Sequence, residues 1–560
     1  MKIKKIFQVL IYLFVVTTAL CGCNSFNNNN NNNKQDCDPD FDDCDDKKDE
    51  IKLESYKSTN YEFDKNSTNK NGSMSYEIFV RSFYDSNSDG IGDLNGINEK
   101  LEYLSDLGIK TIWLMPIHPS STYHGYDVIN YYDVNKDYGT ILDFKELTKK
   151  ASKYNIDVML DMVFNHSSIQ NPWFLKSFED KTSGYSGEDS KADWYVWSDT
   201  QRPGFHKYGT SNLYYEGNFD TSMPEFNFNN EDVKKEFVKI LNYWIDLGAK
   251  GFRFDAVKYF DLNNTSKNVN YLTYLKKNIK DKSVYFVGEM WDNINLINEY
   301  YKSKCDSFFK FNASLNSSSD ESLLAQVKGI RNSLNFASSI ENQEKILKEN
   351  NIVGYSSYFY ANHDMDRAGE SFTDASLAKM AANLLCLMPG TPFIYYGDEI
   401  NLKGKRGTEG SDVMRRLPLI WAQKDKAGQC KFPQDDFKYL ENNITQVSLG
   451  INDQLEMNYS LLNHYKKAIN IRNKYSFIKE AEFINKTKSV SDKYKHVLIY
   501  ELKNNDDSIV VIHNFEKENV EFDVSSFGST IVDELSVTKL IPELKDGKLK
   551  LGSLSSVIIK

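Results

Sequence analysis

The stretch Gly251–Tyr259 reads GFRFDAVKY and places two opposite charges inside an apolar run that extends from Ala249 to Ala256. If this run is a β-strand, Arg253 and Asp255 lie on the same side of it, because strand side chains alternate between faces with a period of two. A buried guanidinium beside a buried carboxylate keeps that carboxylate ionised and fixes its direction. The pair therefore suits either a nucleophile that meets a positively charged transition state or a structural ion pair.

Short apolar stretches of strand character alternate with longer amphipathic segments along the chain. Predicted strands cover Tyr76–Val80, Thr111–Met115, Asp157–Phe164, Gly251–Ala256, Val284–Gly288, Ser307–Phe311, Ser357–Ala361 and Pro392–Tyr396. Predicted helices cover Ile97–Leu107, Phe144–Tyr154, Glu231–Leu247 and Met457–Tyr475. This alternation over roughly 400 residues predicts the α/β fold class with a parallel sheet, and a (β/α)8 TIM barrel accommodates such a length in one domain.

Two segments depart from the alternation and predict additional units. Residues 167–225 are rich in Gly, Ser, Asp and aromatic residues and are too long for a loop, so they predict a small subdomain inserted after the third strand. Residues 479–560 show predicted strands without helices, which is typical of a C-terminal all-β sandwich. The barrel would then comprise residues 72–166 and 226–478.

Four of the predicted barrel strands end in or are followed by an acidic residue: Asp161, Asp255, Glu289 and Asp364. All strands of a (β/α)8 barrel open onto one face at their carboxyl ends, so these side chains should meet in one pocket. Cleavage of an acetal needs an acid that protonates the leaving oxygen and a carboxylate that captures the oxocarbenium carbon. The strand ends therefore supply more than the minimum apparatus for glycoside cleavage.

The N-terminal residues 1–23 have the pattern of a bacterial lipoprotein signal peptide. Lysines precede the apolar run Ile6–Leu20, which is short for a membrane-spanning helix. Gly22 before Cys23 resembles a lipobox, which predicts lipidation of Cys23 and a protein anchored at the outer face of the cell membrane. An ordinary secretory signal is the alternative.

Residues 24–71 are rich in Asn and Asp and predict a solvated tether, because such a composition cannot bury a core. Cys37 and Cys44 lie in this tether, and their spacing allows a small disulfide loop, a weak cation site or a plain hydrated spacer. The chain of 560 residues has a formal net charge of −11, which argues against nucleic acid as a partner.

The motifs at the strand ends resemble a known family. DMVFNH at residues 161–166, GFRFDAVKY at 251–259, GEMW at 288–291 and ANHD at 361–364 are similar, in order and strand context, to four sequence regions of the α-amylase family of glycoside hydrolases, family 13. The resemblance extends from about Ser73 to Tyr475. It implies a retaining mechanism in which Asp255 is the nucleophile, Glu289 is the acid/base and Asp364 stabilises the transition state.

The same resemblance implies a set of residues that bind the sugar at the point of cleavage. Arg253 would orient Asp255, and Asp161 would support the site together with Asn165. His166 and His363 would hydrogen-bond the sugar. Tyr126, in the segment HGYDV, matches the aromatic platform beneath that sugar in the family.

A candidate calcium loop follows the first predicted strand, in the segment DSNSDGIGD at residues 85–93. Its oxygen donors would be Asp85, Asn87, Asp89, the carbonyl of Ile91 and Asp93, a spacing that matches the first part of an EF-hand loop. An Asx-rich turn is the alternative. A second calcium used by many family members relies on Asn165 and on a histidine at the position of Tyr259, so the sequence does not favour that site.

The resemblance leaves the function open between two kinds of enzyme and one protein without catalytic activity. Met223–Asn227 (MPEFN) is similar to the fifth region of α-amylase-like members, which favours internal cleavage of α-1,4-glucan, and a cell-surface location also suits a degrader of starch. An exo-acting α-glucosidase or oligo-1,6-glucosidase is the alternative. A catalytically inactive glycan-binding homologue is the third hypothesis, against which the three intact acids argue. We expect a monomer.

Overall fold

The computed structural model describes residues 74–262, 264–315, 318–349, 355–406, 412–432, 446–505 and 507–560. The predicted signal peptide, the lipidation at Cys23, the tether and the pairing of Cys37 with Cys44 lie outside these residues. The described cysteines Cys305, Cys386 and Cys430 are buried free thiols. None of the helices in the described ranges is both long and apolar enough to cross a lipid bilayer.

Eight parallel strands form the centre of the molecule. They are β1 (Ser75–Ile78), β2 (Thr111–Leu114), β3 (Asp157–Met162), β4 (Gly251–Phe254), β5 (Tyr285–Gly288), β6 (Ser307–Phe309), β7 (Tyr355–Ser357) and β8 (Phe393–Tyr395). The sheet order is β7-β6-β5-β4-β3-β2-β1-β8. The N–H groups of Thr391 and Phe393 donate to the carbonyls of Ser356 and Tyr358 at 3.0 and 2.8 Å, which closes the ring between β7 and β8. The prediction of a TIM barrel is confirmed.

Seven of the eight observed strands end earlier than predicted at the face that carries the acids, and β5 ends at Gly288 as predicted. β4 ends at Phe254, and Ala256 has a φ of 47°, a left-handed conformation in which a strand cannot continue. The chain therefore leaves the sheet at Asp255 itself. β7 spans Tyr355–Ser357 rather than the predicted Ser357–Ala361, so Asp364 lies on a loop beyond the strand.

Helices surround the strands. They cover Leu94–Glu99, Leu101–Leu107, Ile141–Lys153, Glu231–Asp246, Thr265–Asn278, Ile294–Tyr300, Leu323–Val327, Ser333–Glu349, Ala368–Ser371, Ala375–Leu387, Ile451–Leu455 and Leu461–Lys474. The predicted helix Ile97–Leu107 is in fact two helices separated at Lys100, whose φ of −103° and ψ of 8° interrupt the helical turn. The helix Glu231–Asp246 begins after Asn230, whose side chain caps the N–H groups of Asp232 and Val233.

The segment between β3 and β4 contains a helix, Pro172–Ser183, and a three-stranded sheet formed by Trp197–Ser198, Phe205–Lys207 and Tyr214–Glu216. Aromatic side chains fill its interior: the ring of Phe174 stacks on Trp197 at 5.2 Å and packs edge-on against Tyr195 at 5.1 Å. These aromatic residues therefore pack within the subdomain.

The C-terminal part contains eight strands in two antiparallel sheets. They are β9 (Glu482–Asn485), β10 (Val497–Asn504), β11 (Asp507–Asn514), β12 (Val520–Asp523), β13 (Ile531–Leu535), β14 (Glu543–Lys545), β15 (Lys548–Leu551) and β16 (Ser555–Ile559). One sheet has the order β9-β10-β11-β16-β13 and the other β12-β15-β14. The prediction of a C-terminal all-β domain is confirmed. Asn383 donates to the carbonyl of Leu535 at 3.0 Å and thereby joins this domain to a barrel helix.

Candidate active site

Arg253 is the centre of the site at the carboxyl end of the barrel. Its side chain is fully buried, and its Nη1 atom lies 2.9 Å from Oδ1 of Asp161 and 2.5 Å from Oδ1 of Asp255. Asp161 lies on β3, which pairs with β4 so that Asp161 and Arg253 are opposite each other. The alternation expected from the sequence therefore holds, because Arg253 and Asp255 face the same side.

Glu289 follows β5 directly and meets the same guanidinium from the other side. Its Oε2 atom lies 2.8 Å from Nη2 of Arg253, and the two form an ion pair whose geometry is not that of a hydrogen bond. The same oxygen accepts a hydrogen bond of 2.9 Å from the backbone N–H of Ala256. The left-handed conformation of Ala256 turns this N–H toward the carboxylate. One arginine and one peptide group thus position two carboxyl groups from adjacent strands around the same space.

The two carboxyl groups have environments that raise their affinity for a proton. Burial raises the pKa of Glu289 to about 7, and although Arg253 opposes this effect, the charges of Asp255 and Asp364 support it. Burial also raises the pKa of Asp255, but the guanidinium of Arg253 opposes this effect and favours the ionised form that a nucleophile needs. A carboxyl group that holds its proton near neutral pH is suited to general acid catalysis.

Asp364 is held in the charged form by two cations. Its Oδ2 atom lies 3.0 Å from Nε2 of His363, and its Oδ1 atom lies 2.9 Å from Nη2 of Arg416. Burial disfavours the charge, but His363 and then Arg416 outweigh it and hold the pKa of Asp364 well below its usual range. A carboxylate that stays ionised suits the stabilisation of a positively charged transition state.

His363 is itself charged because it lies between two acids. Its Nδ1 atom lies 2.5 Å from Oε1 of Glu77, a buried residue of β1. Burial lowers the pKa of His363, but Asp364 and Glu77 dominate and raise it to about 10. The imidazolium therefore lies in a row of alternating charges that begins at Glu77 and ends at Arg416.

Tyr126 connects the two groups of charges. Its hydroxyl lies 2.6 Å from Nε2 of His363 and donates to Oδ2 of Asp161 at 3.1 Å, and its ring stacks on His363 with 5.3 Å between centroids. Burial raises the pKa of Asp161 to about 6. The structure therefore brings Tyr126, Asp161 and His363 together with the candidate catalytic acids.

His166 is buried at the edge of this group. Its Nε2 atom lies 3.1 Å from the backbone carbonyl of Tyr126, and its Nδ1 atom lies 3.4 Å from Nδ2 of Asn165. Burial lowers the pKa of His166 to about 4, so the ring is neutral. In this conformation His166 fixes the backbone at Tyr126 through its Nε2 atom.

Two residues of the site were missed by sequence reasoning: Glu77 and Arg416. Glu77 was detectable as an acid inside the apolar stretch of β1, because such a residue is buried in a barrel and needs a partner. Arg416 carries no comparable signal, since it lies after a short 3-10 helix, Asp412–Arg415, that ends beside the site.

The candidate calcium loop at residues 85–93 is compact. The carboxylate of Asp85 accepts from the N–H groups of Ser88 and Gly90 at 2.7 Å each, and Asp93 accepts from Gly96 at 2.7 Å and caps the following helix. No three His, Cys, Asp or Glu side chains in the described ranges form a group that could hold a metal. The oxygen donors of the loop nevertheless have the chemistry that calcium prefers, because carboxylate, amide and carbonyl oxygens are its usual ligands.

The position expected for a ligand of the second calcium holds Tyr259, a half-buried phenol. Its ring packs edge-on against Phe219 with 4.8 Å between centroids. The structure therefore shows a phenol that packs against an aromatic ring where the family has a histidine, and this position adds no support for a second calcium.

The barrel and the paired carboxyl groups at its carboxyl end define the class of this protein as a glycoside hydrolase. The chain belongs to the alpha-amylase family, because the family model "Alpha amylase, catalytic domain" matches residues 77–481. It is 35% identical over 494 residues to Alpha-amylase 3 of Dictyoglomus thermophilum, an alignment that covers 87% of this chain and 92% of the relative.

Other relatives and structures agree with this membership. The probable oligo-1,6-glucosidase 2 of Bacillus subtilis is 26% identical over 529 residues, which cover 80% of this chain and 90% of the relative. The solved structure of Eubacterium rectale Amy13B superposes with a TM-score of 0.81 at 34% identity and covers 88% of this chain and 95% of that chain. The predicted family resemblance is confirmed, and so is the prediction that the chain is a glycoside hydrolase.

Proposed function

We propose that this protein is an α-amylase that hydrolyses internal α-1,4-glucosidic bonds of starch-like α-glucans and retains the anomeric configuration. The observation that carries the reaction is the shared guanidinium of Arg253, which contacts both Asp255 and Glu289. A shared guanidinium keeps the two carboxyl groups near each other, which suits a covalent mechanism because that mechanism needs a short separation between nucleophile and acid. The identity of 35% to a protein named Alpha-amylase 3 supports the choice of substrate.

The reaction has two steps. In the first, the protonated carboxyl group of Glu289 donates its proton to the glycosidic oxygen while a carboxylate oxygen of Asp255 bonds to the anomeric carbon and the bond to the leaving sugar breaks. In the second, Glu289 takes a proton from water, and the water oxygen displaces Asp255 from the anomeric carbon. The raised pKa of Glu289, about 7, supports its role as the acid.

The remaining residues bind the sugar and balance charge. Asp364, held ionised by His363 and Arg416, would accept hydrogen bonds from sugar hydroxyls and stabilise the oxocarbenium-like transition state. His363 would donate to the same sugar, and Tyr126 would support its ring. Asp161 and Arg253 would keep the nucleophile in place, and His166 would contact the sugar from the edge of the pocket.

We also propose that calcium binds the loop at residues 85–93 through the five oxygen donors named above. When bound, calcium would tie this loop to the end of β1 and stabilise the fold. Calcium should raise the melting temperature and EDTA should reverse this, because a ligand that binds only the native state stabilises it. Asp93→Asn should abolish the rise in melting temperature caused by calcium. It should retain the helix cap, since Asn also caps helices. An identical melting temperature in calcium and EDTA would contradict this assignment.

We propose further that the enzyme acts as a monomer on the outer face of a bacterial membrane, anchored by a lipid on Cys23. In a host that processes lipoproteins and is supplied with a labelled fatty acid, the unmodified chain and Cys21→Ser should incorporate the label, whereas Cys23→Ser should not. Label on Cys23→Ser, or no label on the unmodified chain, would contradict the lipid anchor on Cys23.

The second candidate function is an exo-acting α-glucosidase or oligo-1,6-glucosidase. The observation that favours it is the similarity to a probable oligo-1,6-glucosidase over 90% of that relative. The two functions differ in products from soluble starch: internal cleavage gives mixed oligosaccharides with rapid loss of iodine colour, while exo cleavage gives glucose with slow loss.

Chromatography of the products from starch, pullulan and isomaltose tests the proposal. We expect mixed malto-oligosaccharides from starch, and glucose as the main product would favour the second function. Asp255→Asn and Glu289→Gln should each lower turnover by orders of magnitude without loss of folding. Asp106→Asn and Glu146→Gln are matched controls, since both side chains are exposed on barrel helices. An unchanged rate in either catalytic variant would overturn the roles assigned here.

A further inference from the structure

Glu77 is a buried acid of β1 that contacts the imidazole of His363. Its side chain is 2% exposed, and its Oε1 atom lies 2.5 Å from Nδ1 of the ring. In the sheet, Glu77 is opposite Trp113 of β2 and Tyr395 of β8, and its backbone carbonyl accepts a hydrogen bond of 3.0 Å from the N–H of Tyr396. Burial of a carboxylate costs free energy unless a partner compensates, and His363 is that partner.

The contacts of its two ring nitrogens fix where the protons of His363 lie. A carboxylate accepts hydrogen bonds and cannot donate one, so Nδ1 beside Glu77 carries a proton. Nε2 lies 3.0 Å from Oδ2 of Asp364. A bare lone pair on Nε2 would face this second carboxylate and be repelled by it, so Nε2 carries a proton as well. The geometry therefore makes the ring an imidazolium.

The imidazolium has little room to turn. The ring of Tyr126 stacks on it with 5.3 Å between centroids and 18° between planes, and Trp113 packs edge-on against it at 5.7 Å. The hydroxyl of Tyr126 donates to Asp161, so its oxygen is free to accept from Nε2 at 2.6 Å. Because the ring is confined in this way, the contact between Nδ1 and Glu77 decides the direction of the Nε2–H bond.

Charged and titratable groups from every neighbouring element face this ring. They are Glu77 on β1, His124 and Tyr126 on the loop after β2, Asp161 on β3, Arg253 on β4, Asp364 on the loop after β7 and Arg416 beyond β8. Burial lowers the pKa of His363, but Asp364 and then Glu77 outweigh it and raise the pKa to about 10. Burial lowers the pKa of His124 to about 4, so that ring is neutral.

We propose that Glu77 is a positioning residue that holds His363 as an imidazolium and directs its Nε2–H toward the hydroxyls of the sugar at the point of cleavage. This inference rests on the proposed function, because it assigns a further part of that same site. Glu77 touches no sugar and acts through His363. Its charge also balances the imidazolium, so that the row from Glu77 to Arg416 adds no net positive charge beside an oxocarbenium-like transition state.

Glu77→Gln tests this role, because it keeps the shape of the side chain and removes the charge. The measurement is kcat/KM for α-maltosyl fluoride across pH, since fluoride needs little protonation by Glu289 and the basic limb is then left to other groups. In the unmodified enzyme this limb should lie near pH 10, the pKa of His363. In Glu77→Gln it should move down by about 1–3 pH units, the effect expected when a neighbouring opposite charge is lost. Above that limb the rate should fall about 10–100-fold, the scale of one charged hydrogen-bond donor.

Two further variants separate the charge of Glu77 from a general loss of stability. Glu399→Gln is the matched control: Glu399 is fully buried and accepts from the hydroxyl of Tyr76, the neighbour of Glu77 on the opposite face of β1. This variant should leave the basic limb for α-maltosyl fluoride where it is in the unmodified enzyme. Glu77→Asp retains the charge, so its limb should lie at higher pH than that of Glu77→Gln.

Nuclear magnetic resonance of the unmodified protein labelled with 15N-histidine tests the charge without any substrate. The chain has eight histidines, and His363→Asn identifies the signals of His363. Both ring nitrogens of His363 should remain protonated at pH 8. A neutral ring at this pH would overturn the inference even if Glu77→Gln does not fold.

The outcomes separate this inference from the proposed function. A basic limb that stays in place in Glu77→Gln, or that moves equally in Glu399→Gln, would overturn the role of Glu77. Failure of the unmodified enzyme to cleave α-maltosyl fluoride would instead count against the α-1,4 assignment. In that case α-isomaltosyl fluoride replaces it in the pH series, and the resonance measurement still decides whether His363 is an imidazolium.

Discussion

Nη2 of Arg416 lies 2.9 Å from Oδ1 of Asp364, so a residue beyond the last barrel strand neutralises a candidate catalytic acid on the loop after β7. The same guanidinium donates from Nε to the backbone carbonyl of His363 at 3.0 Å and from Nη1 to the hydroxyl of Tyr123 at 3.2 Å. Arg416 therefore holds both the charge and the backbone of the His363–Asp364 pair.

Arg416→Met should lower kcat/KM about 100-fold, the scale observed when one preorganised electrostatic partner is removed from an active site. Without the guanidinium, burial acts more strongly on Asp364 and its pKa rises, so the acid limb of the pH–rate profile should move to higher pH. Steady-state rates on maltotetraose across pH measure both effects. Arg416→Lys should recover part of the loss. An unchanged profile for Arg416→Met would show that His363 alone keeps Asp364 ionised.

The basic limb of the pH–rate profile should report the loss of the proton from Glu289. Burial raises its pKa to about 7, and the residue acts in its protonated form, so kcat/KM for maltotetraose should fall as the pH rises through this value. Fluoride is a good leaving group and needs little protonation. The limb should therefore be absent from kcat/KM for α-maltosyl fluoride. A basic limb of equal position for both substrates would assign it to another group.

The fold was predictable from local patterns because most barrel strands are short apolar runs, and Asp255 and Glu289 each follow one directly. The predicted ends were less accurate, since pairing stops where the backbone turns toward the site, as Ala256 does with its φ of 47°. Such a conformation depends on the contact between Ala256 and Glu289, which are far apart in sequence.

The charge partners of the site were less predictable than the acids. His363 and Glu77 are 286 residues apart along the chain. They meet only because the ring closes between β7 and β8 and brings β1 beside β8.

Gly288 places Glu289 because no side chain fits between β5 and β6 at this point. A Cβ atom on residue 288 would lie 2.3 Å from Cε1 and 2.7 Å from Cδ1 of the buried Phe308. Gly288→Ala should therefore displace the end of β5, lower the free energy of unfolding by about 1–3 kcal/mol and reduce kcat. Denaturant unfolding and steady-state rates measure the two effects. Adding Phe308→Leu should recover part of both, and a Gly288→Ala enzyme with unmodified stability and rate would contradict this account.

Arg472 ties the helix Ala375–Leu387 to the barrel without contacting the site. It is fully buried, and it donates to the backbone carbonyls of Cys386, Met388 and Gly390 at 2.8, 2.6 and 2.6 Å. These carbonyls lie at and beyond the end of that helix, where the last carbonyls have no partners within the helix. Burial lowers the pKa of Arg472 to about 10, yet the side chain remains charged at neutral pH.

Arg472→Met should lower the free energy of unfolding by about 3 kcal/mol or more, because three buried carbonyls would lose their donor. Urea unfolding monitored by tryptophan fluorescence measures this loss. Lys466→Ala, on the helix Leu461–Lys474 that also carries Arg472, should lower the free energy of unfolding much less. The kcat and KM of the folded fraction should stay close to those of the unmodified enzyme, since Arg472 contacts none of the candidate catalytic residues. A stable Arg472→Met protein, or one that folds fully and yet loses kcat, would show that this residue has a different role from the one its contacts indicate.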